Sequence, residues 1–223
     1  MNKEDWIERG IKLRKSGKYE EALEAFKRTV ENDPQQTSAW YNNGFVLYKL
    51  SRHKEALESF ERTLEISPHH SDAWYNKGIA LKELERYKEA LEAFEKTLEI
   101  NPRHAGAWYN KGFVLEKLER FEEALESYDK ATEIKSRHPY AWYSKGILLH
   151  KLARPEEALE AFERTLDINS QHIGARYNQG LVLRDLNKYD DALKALEKTL
   201  VVHPRHSGAW YNKGIVLAEV QRF

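Results

Sequence analysis

Cysteine is absent from the 223 residues, so neither disulfides nor thiolate metal sites are available to this chain. Charge of one sign is not in excess: Lys plus Arg and Asp plus Glu both number 36, which leaves no surplus positive field to draw in phosphates, and nucleic acid is not an expected partner. No apolar run is long enough to span a bilayer, and the opening MNKEDWIERG has no apolar core of a secretion signal, so a cytoplasmic protein without a membrane partner is expected. Phosphate-binding glycine loops, dinucleotide fingerprints, His-Glu-x-x-His pairs and nucleophile elbows are also missing. The chain is therefore read as a non-enzyme without a cofactor.

What the chain does contain is repetition. Trp6, Trp40, Trp74, Trp108, Trp142 and Trp210 are separated by multiples of 34, and Arg176 holds the one interrupted place. Gly10, Gly44, Gly78, Gly112, Gly146, Gly180 and Gly214 follow four residues behind, while Ala22, Ala56, Ala90, Ala124, Ala158 and Ala192 keep the same period. Within the unit Ser71 to His104, Trp74, Gly78 and Leu81 share one helical stripe and Ala90, Leu91, Phe94 and Leu98 a second. Leu84 to Tyr87 changes the phase between them, and Asn101-Pro102 closes the unit. Each unit thus predicts two helices, A and B, of about 14 residues and roughly 21 Å. A glycine kept inside helix A at a cost of about 1 kcal/mol implies close approach to a neighbouring helix, with the helix B alanines as the complementary small residues.

On Trp74, Gly78, Tyr87, Ala90, Phe94 and Pro102 the chain resembles the tetratricopeptide repeat family from Lys3 onward, with Leu81 where that family often has Tyr. The resemblance implies an all-α, right-handed superhelical solenoid of antiparallel helix pairs, A helices lining a concave groove. Six repeats are expected, at 3–36 (a cap-like first copy), 37–70, 71–104, 105–138, 139–172 and 173–206, followed by a single helix over 207–223, all in one solenoid domain. The first copy carries Asp5, Ile7 and Glu8 where later copies have Ala, Tyr and Asn. Pro139 and Pro155 fall where a first helical turn accepts them. Arg176 in the Trp slot is read as an arginine whose stem packs while its head reaches water; Leu196 takes the Phe slot. The last helix keeps Ile215, Val216, Leu217, Val220 and Phe223 apolar, where a terminal helix needs a polar face, which suggests a piece of a longer array and exposed surface for self-association.

Two periodic sets of polar residues look like chemistry and are read as structure. Glu24–Arg28, Glu58–Arg62, Glu92–Lys96, Glu126–Lys130 and Glu160–Arg164 are i, i+4 pairs of favourable order on a solvated outer face. His70, His104, His138, His172 and His206 recur in the turns between units, too far apart for one metal at ligand bonds of about 2.0–2.1 Å. They are read as turn residues, and no metal is expected.

The candidate binding surface is the side of helix A away from its own pair. At about 100° per residue, Asp72, Tyr75, Asn76 and Ile79 lie roughly opposite Trp74, Gly78 and Leu81. The row there comprises Tyr41, Tyr75, Tyr109, Tyr143 and Tyr177 (with Tyr211), and Phe45, Ile79, Phe113 and Ile147 (with Ile11, Leu181 and Ile215). Asn42, Asn76, Asn110, Asn178 and Asn212 run between, with Ser144 and Glu8 in the remaining places. An Asn amide offers donor and acceptor to an extended backbone, and the row resembles the asparagine ladder in the repeats of O-linked N-acetylglucosamine transferase. The carboxylate clamp of the chaperone-adaptor branch is not matched, since only its middle Asn is present. The expected function is a noncatalytic scaffold that binds a protein or peptide segment, extended or helical, in this groove. Two alternatives remain open: a self-assembling repeat array, with homo-oligomers formed through the C-terminal helix, and the targeting part of a larger enzyme.

Overall fold

The computed structural model describes residues 3–221, with side chains from Trp6 on; the side chain of Asp5, and Phe223, lie outside the described residues. All regular structure among them is helical: α1 (Lys3–Lys15), α2 (Tyr19–Asn32), α3 (Thr37–Lys49), α4 (His53–Ile66), α5 (Ser71–Glu83), α6 (Tyr87–Ile100), α7 (Ala105–Lys117), α8 (Phe121–Ile134), α9 (Pro139–Lys151), α10 (Pro155–Ile168), α11 (Ile173–Asp185), α12 (Tyr189–Val202) and α13 (Ser207–Val220). Odd-numbered helices are A, even-numbered are B. Pro139 and Pro155 both begin helices, as their fixed φ and missing N–H allow.

Two compact units result, Met1–Arg120 and Phe121–Phe223. In the first, α1·α2, α3·α4 and α5·α6 form hairpins, and each B helix packs on the next A helix up to α6·α7. In the second, α9·α10 and α11·α12 are the hairpins and α8·α9, α10·α11 and α12·α13 the joints between them. Successive A helices also touch, α1·α3, α3·α5 and α5·α7 in one unit and α9·α11 and α11·α13 in the other, so the A row is the inner side of each stack.

The hairpins close on a contact that differs from the sequence expectation. The partner of the helix A glycine is the helix B phenylalanine, not the alanine: a Cβ on Gly10, Gly44, Gly78 or Gly146 would stand 2.6–2.8 Å from the ring of Phe26, Phe60, Phe94 or Phe162. Those four rings are fully buried. In the sixth copy Gly180 meets Leu196 at 3.0 Å, so a different side chain fills the same place. The centre of helix A's buried face also shifts. Ala73, Ala80 and Leu81 are sealed while Trp74 is only half-buried, as are its equivalents Trp40, Trp108 and Trp142. Each of these indoles donates to the carbonyl six residues earlier in the turn before its helix, at 2.8 Å from Trp74 to Pro68 and 2.9 Å from Trp142 to Ser136. Arg176 makes the same bond to the Ser170 carbonyl. Its head therefore supplies, at an exposed site, one donor in place of an indole N–H, a role the sequence reading did not anticipate.

The turn inside each hairpin places Ser51, Glu85, Glu119, Ala153 and Asn187 at φ of 55–60°, with Gly17 at 76°. Arg52 and Arg86 then donate their N–H back to Leu47 and Leu81 at 2.9 Å, the closing bond of a left-handed helix cap. Between repeats, Lys77–Glu61 and Lys111–Glu95 at 3.0 Å, Lys145–Asp129 at 2.6 Å and Lys213–Glu197 at 2.8 Å tie an A helix to the B helix before it, a series the sequence reading did not anticipate. On the outer face the i, i+4 expectation holds only for Arg28–Glu24 at 2.9 Å and, loosely, Arg164–Glu160 at 3.9 Å. Arg62, Lys96 and Lys130 instead reach forward three residues to Glu65, Glu99 and Glu133. Both choices are one helical turn away, and exposed pairs of either kind are worth little.

Replacing Gly78 with Ala forces a methyl into an aromatic ring held on all sides. We expect a loss of about 1–3 kcal/mol in spite of the better helix propensity of Ala. Gly180→Ala meets a branched aliphatic chain able to turn aside and should cost clearly less; equal losses in thermal or urea unfolding would refute the ring-on-glycine account.

Candidate functional site

The side chains expected to bind a guest are first of all in contact with one another across repeats. The ring of Tyr41 stacks on His70 with centroids 4.8 Å apart, and the Tyr75–His104, Tyr143–His172 and Tyr177–His206 pairs stand 4.4–4.6 Å apart. Each histidine lies in the turn that leads into the next A helix, and each uses Nδ1 to accept the third N–H of that helix: Ala73, Ala107, Ala141, Ala175 and Ala209, at 3.0–3.2 Å. The histidines are thus N-caps, a sharper role than turn filler. An accepting Nδ1 requires the proton on Nε2. Among the described residues, no group of three or more His, Cys, Asp or Glu is placed to hold a metal.

The asparagines complete the same joint. Nδ2 of Asn76, Asn110, Asn178 and Asn212 donates to the carbonyl four residues back at 2.8 Å, and also to the hydroxyl of the tyrosine one repeat earlier, Tyr41, Tyr75, Tyr143 or Tyr177, at 3.1–3.3 Å. Asn42 makes the first bond, to Ser38 at 2.7 Å, and has Ile7 where the phenol would be. An amide nitrogen has two hydrogens, and both are used in four of these five. On the acceptor side Asn110 Oδ1 takes the Lys82 ammonium at 3.3 Å and Asn212 Oδ1 the Arg184 guanidinium. Asn42, Asn110 and Asn212 are only 5–7 % exposed. The expectation of an amide free to donate to a peptide backbone is therefore corrected. Their position explains it: at roughly 100° per residue Asn76 lies nearer the buried Ala73 and Ala80 than the open side.

Burial raises the phenol pKa of Tyr41, Tyr75 and Tyr143, for Tyr41 with help from Asp72, so all three stay protonated in the physiological range. Tyr109 is half-buried and also engaged. The inner face also carries an apolar row. Phe45, Ile79, Phe113, Leu181 and Ile215 are half-buried and Ile147 is 38 % exposed, although the residues directly after them, Val46, Ala80, Val114, Leu148, Val182 and Val216, are sealed. In the second unit His150 Nε2 and Asp185 Oδ2 meet at 2.7 Å, and Arg184 also reaches Asp185 at 2.7 Å, joining α9 to α11. Partial burial pushes the Asp185 carboxyl up, but the hydrogen bonds from His150 and Arg184 outweigh it and hold the pKa below the ordinary value. A separate cleft of about 660 Å³ lies among α2, α3 and α4 around Trp40. Several of its polar side chains are paired, Asn43 with Ser59, Glu55 with Arg52, Glu61 with Lys77 and Glu65 with Arg62, while Lys27, Glu31 and Glu58 also line it.

Models described as tetratricopeptide repeat match residues 35–103 and, for a second model, 75–139 with 177–223, more than half of the chain. The chain belongs to the tetratricopeptide repeat family. A further model, described as TPR repeat, matches 10–51, and one of anaphase-promoting complex subunit 3 matches 127–199. The comparison with curated proteins returned no match. Among solved structures the chain is similar to YrrB, described as a TPR protein with an unusual peptide-binding site, at 28 % identity, over 86 % of this chain and 99 % of that one, with TM-score 0.74. It is also similar in fold to Pseudomonas aeruginosa pilF, at 18 % identity over 97 % of both chains and TM-score 0.80, and to MamA, at 23 % identity over 73 % of this chain and 95 % of that one and TM-score 0.69. The Tyr–His–Asn joint and the Gly–Phe contact are how this particular repeat sequence builds that fold. No helix among the described residues is long and apolar enough to cross a membrane.

His138, the cap of α9, gives the fold a pH dependence of definite sign. Burial, with Lys135 adding to it, holds its imidazole below the ordinary value. The unfolded chain then takes up the proton first, so this contribution is complete above the ordinary imidazole range and is lost as pH falls through the lowered folded value. His138→Asn keeps a capping acceptor and removes the titration. Its melting temperature should therefore fall less steeply than the parent's between about pH 7.5 and 5; parallel slopes would exclude His138 from the effect.

Proposed function

We propose that the chain is a noncatalytic protein-interaction scaffold that takes an extended peptide segment against the inner face of its A helices. The observation that carries this reading is the alternation on those helices: Phe45, Ile79, Phe113 and Ile147 keep open surface although the next residue of each helix is sealed. Exposed apolar rows of this kind mark interaction surfaces. The likeness to YrrB, whose description names a peptide-binding site, supports it. Tyr41, Tyr75, Tyr109, Tyr143 and Tyr177 are half-buried on the same helices, and Asn76, Asn110, Asn178 and Asn212 act by holding tyrosines; the side-chain oxygens of Asn42, Asn76 and Asn178 accept no bond from the described residues. The row selects apolar side chains at alternate positions of an extended segment.

The test is selection of peptides from a random displayed library against the purified chain, followed by measurement on Ile79→Asp and Phe113→Asp. Neither residue belongs to a Gly–Phe contact or a Tyr–His–Asn joint, so helicity should be kept while affinity for the selected peptides falls by about ten-fold or more. Peptides that bind both variants as well as the parent would place the site elsewhere.

A second reading, self-association, has its own observation. On α13 Trp210 is 55 % and Tyr211 71 % exposed, Leu217 and Val220 are exposed beside them, and Gly214 has no atom within 4 Å of a built Cβ. If this face joins two copies, light scattering will show mass rising with concentration and Leu217→Glu will return it to the monomer value. A concentration-independent monomer sinks this reading and leaves the groove reading intact.

A further inference from the structure

The inner face of the first unit has a charge pattern of its own. The Arg14 guanidinium lies 4.8 Å from the ring centroid of Phe45 and the Lys49 ammonium 5.5 Å from it. Two repeats on, Lys82 and Lys117 stand 5.4 and 5.5 Å from the centroid of Phe113. In both cases one cation comes from the preceding A helix and one from the next turn of the same helix, so the ring fixes two positive charges at the lip of an apolar patch. Lys82 is partly neutralised by Glu83 at 3.4 Å, whereas Arg14, Lys49 and Lys117 have no carboxylate partner among the described residues. The Nε of Arg14 is buried without a hydrogen-bond partner. Asp72 is the exposed acid on the row between the two patches. The second unit is built otherwise, with Ile147 and Leu181 in the aromatic places and the neighbouring His150 and Arg184 already bound to Asp185.

Three unneutralised cations held on aromatic rings beside apolar surface fit an occupant that brings both carboxylates and aliphatic groups. We propose that the inner face of the first unit binds an acidic extended peptide, its carboxylates meeting the Arg14–Lys49 and Lys82–Lys117 pairs while its apolar side chains rest on Phe45, Ile79 and Phe113. This rests on the groove reading above and adds the class of partner. Neighbouring A helices are about 10 Å apart, so the two cationic pairs are about 20 Å apart. An extended chain covers that in about six residues, so two acids about six residues apart on the groove-facing side, with apolar residues at the even steps between them, reach both pairs.

The experiment uses three labelled twelve-residue peptides in which serine alternates with leucine and the third and ninth residues, on the leucine face, are aspartate, serine or lysine, titrated by fluorescence anisotropy against the full chain. The aspartate peptide should bind about ten-fold or more tighter than the serine peptide, and weaken several-fold between about 50 and 200 mM salt. Arg14→Gln with Lys49→Gln should abolish that preference, while Lys54→Gln with Lys88→Gln, on the outer helices, should leave it unchanged. Equal binding of the serine and aspartate peptides, both still lost on Ile79→Asp, overturns the acid preference and keeps the groove. Binding of none of the three overturns both readings, and preference for a labelled oligouridylate over the aspartate peptide overturns the assignment of partner.

Discussion

In the hairpins of Gly10, Gly44, Gly78 and Gly146 the ring of a helix B phenylalanine occupies the space that a side chain on the helix A glycine would need, as at Gly78 and Phe94. This contact sets the distance between the two helices, and the rest of the repeat is scaled to it. Because the interior is packed to crystal-like density, one methyl at that point would have to be absorbed by ring, helix or both. Leu196 over Gly180 shows that the constraint is on volume at that place and not on aromaticity.

The second constraint acts between repeats and is polar. A tyrosine from one A helix lies on the histidine that caps the next, and receives an amide hydrogen from the asparagine one turn into it. Three residue types that suggest ligand binding when read one at a time are thereby spent on register. Their bonds run sideways between neighbours, and a buried amide left without them would be costly, so the arrangement is specific as well as stabilising. The lysine–carboxylate bridges from α5, α7, α9 and α13 to the preceding B helix add to the same joint at the surface.

The proposed binding draws on the positions that neither constraint uses. On the inner face these are the apolar residue four after each tyrosine and the charged residues near it, and they vary more from repeat to repeat than the joints, whose exceptions are Ile7, Ser144 and Leu196. The first unit has phenylalanines flanked by cations, and the second has aliphatic residues beside a His–Asp–Arg cluster. A scaffold with constant joints and variable inner positions is able to change partner without changing fold.

The period of 34, the two helices per unit, the prolines at helix starts and the tyrosine and apolar rows were all legible in the chain, because each depends on local propensity or on helical phase. Other assignments were not. Phase measured from Trp74, Gly78 and Leu81 put Asn76 on the open side, whereas the sealed face is centred on Ala73 and Ala80 beside it, and the neighbouring repeat shows that its two hydrogens go to Asp72 and Tyr41. Arg176 was taken for a solvated side chain because nothing local reveals that the Ser170 carbonyl waits for an N–H. The partner of the glycine was misread as alanine, since both are small and periodic, while the residue that needs the space is the large one opposite. The sequence by itself determined which side chains recur and on which side of a helix they stand; tertiary structure decided which of them are consumed by contacts between helices, because those contacts join residues 16 to 35 positions apart whose pairing no single helix contains.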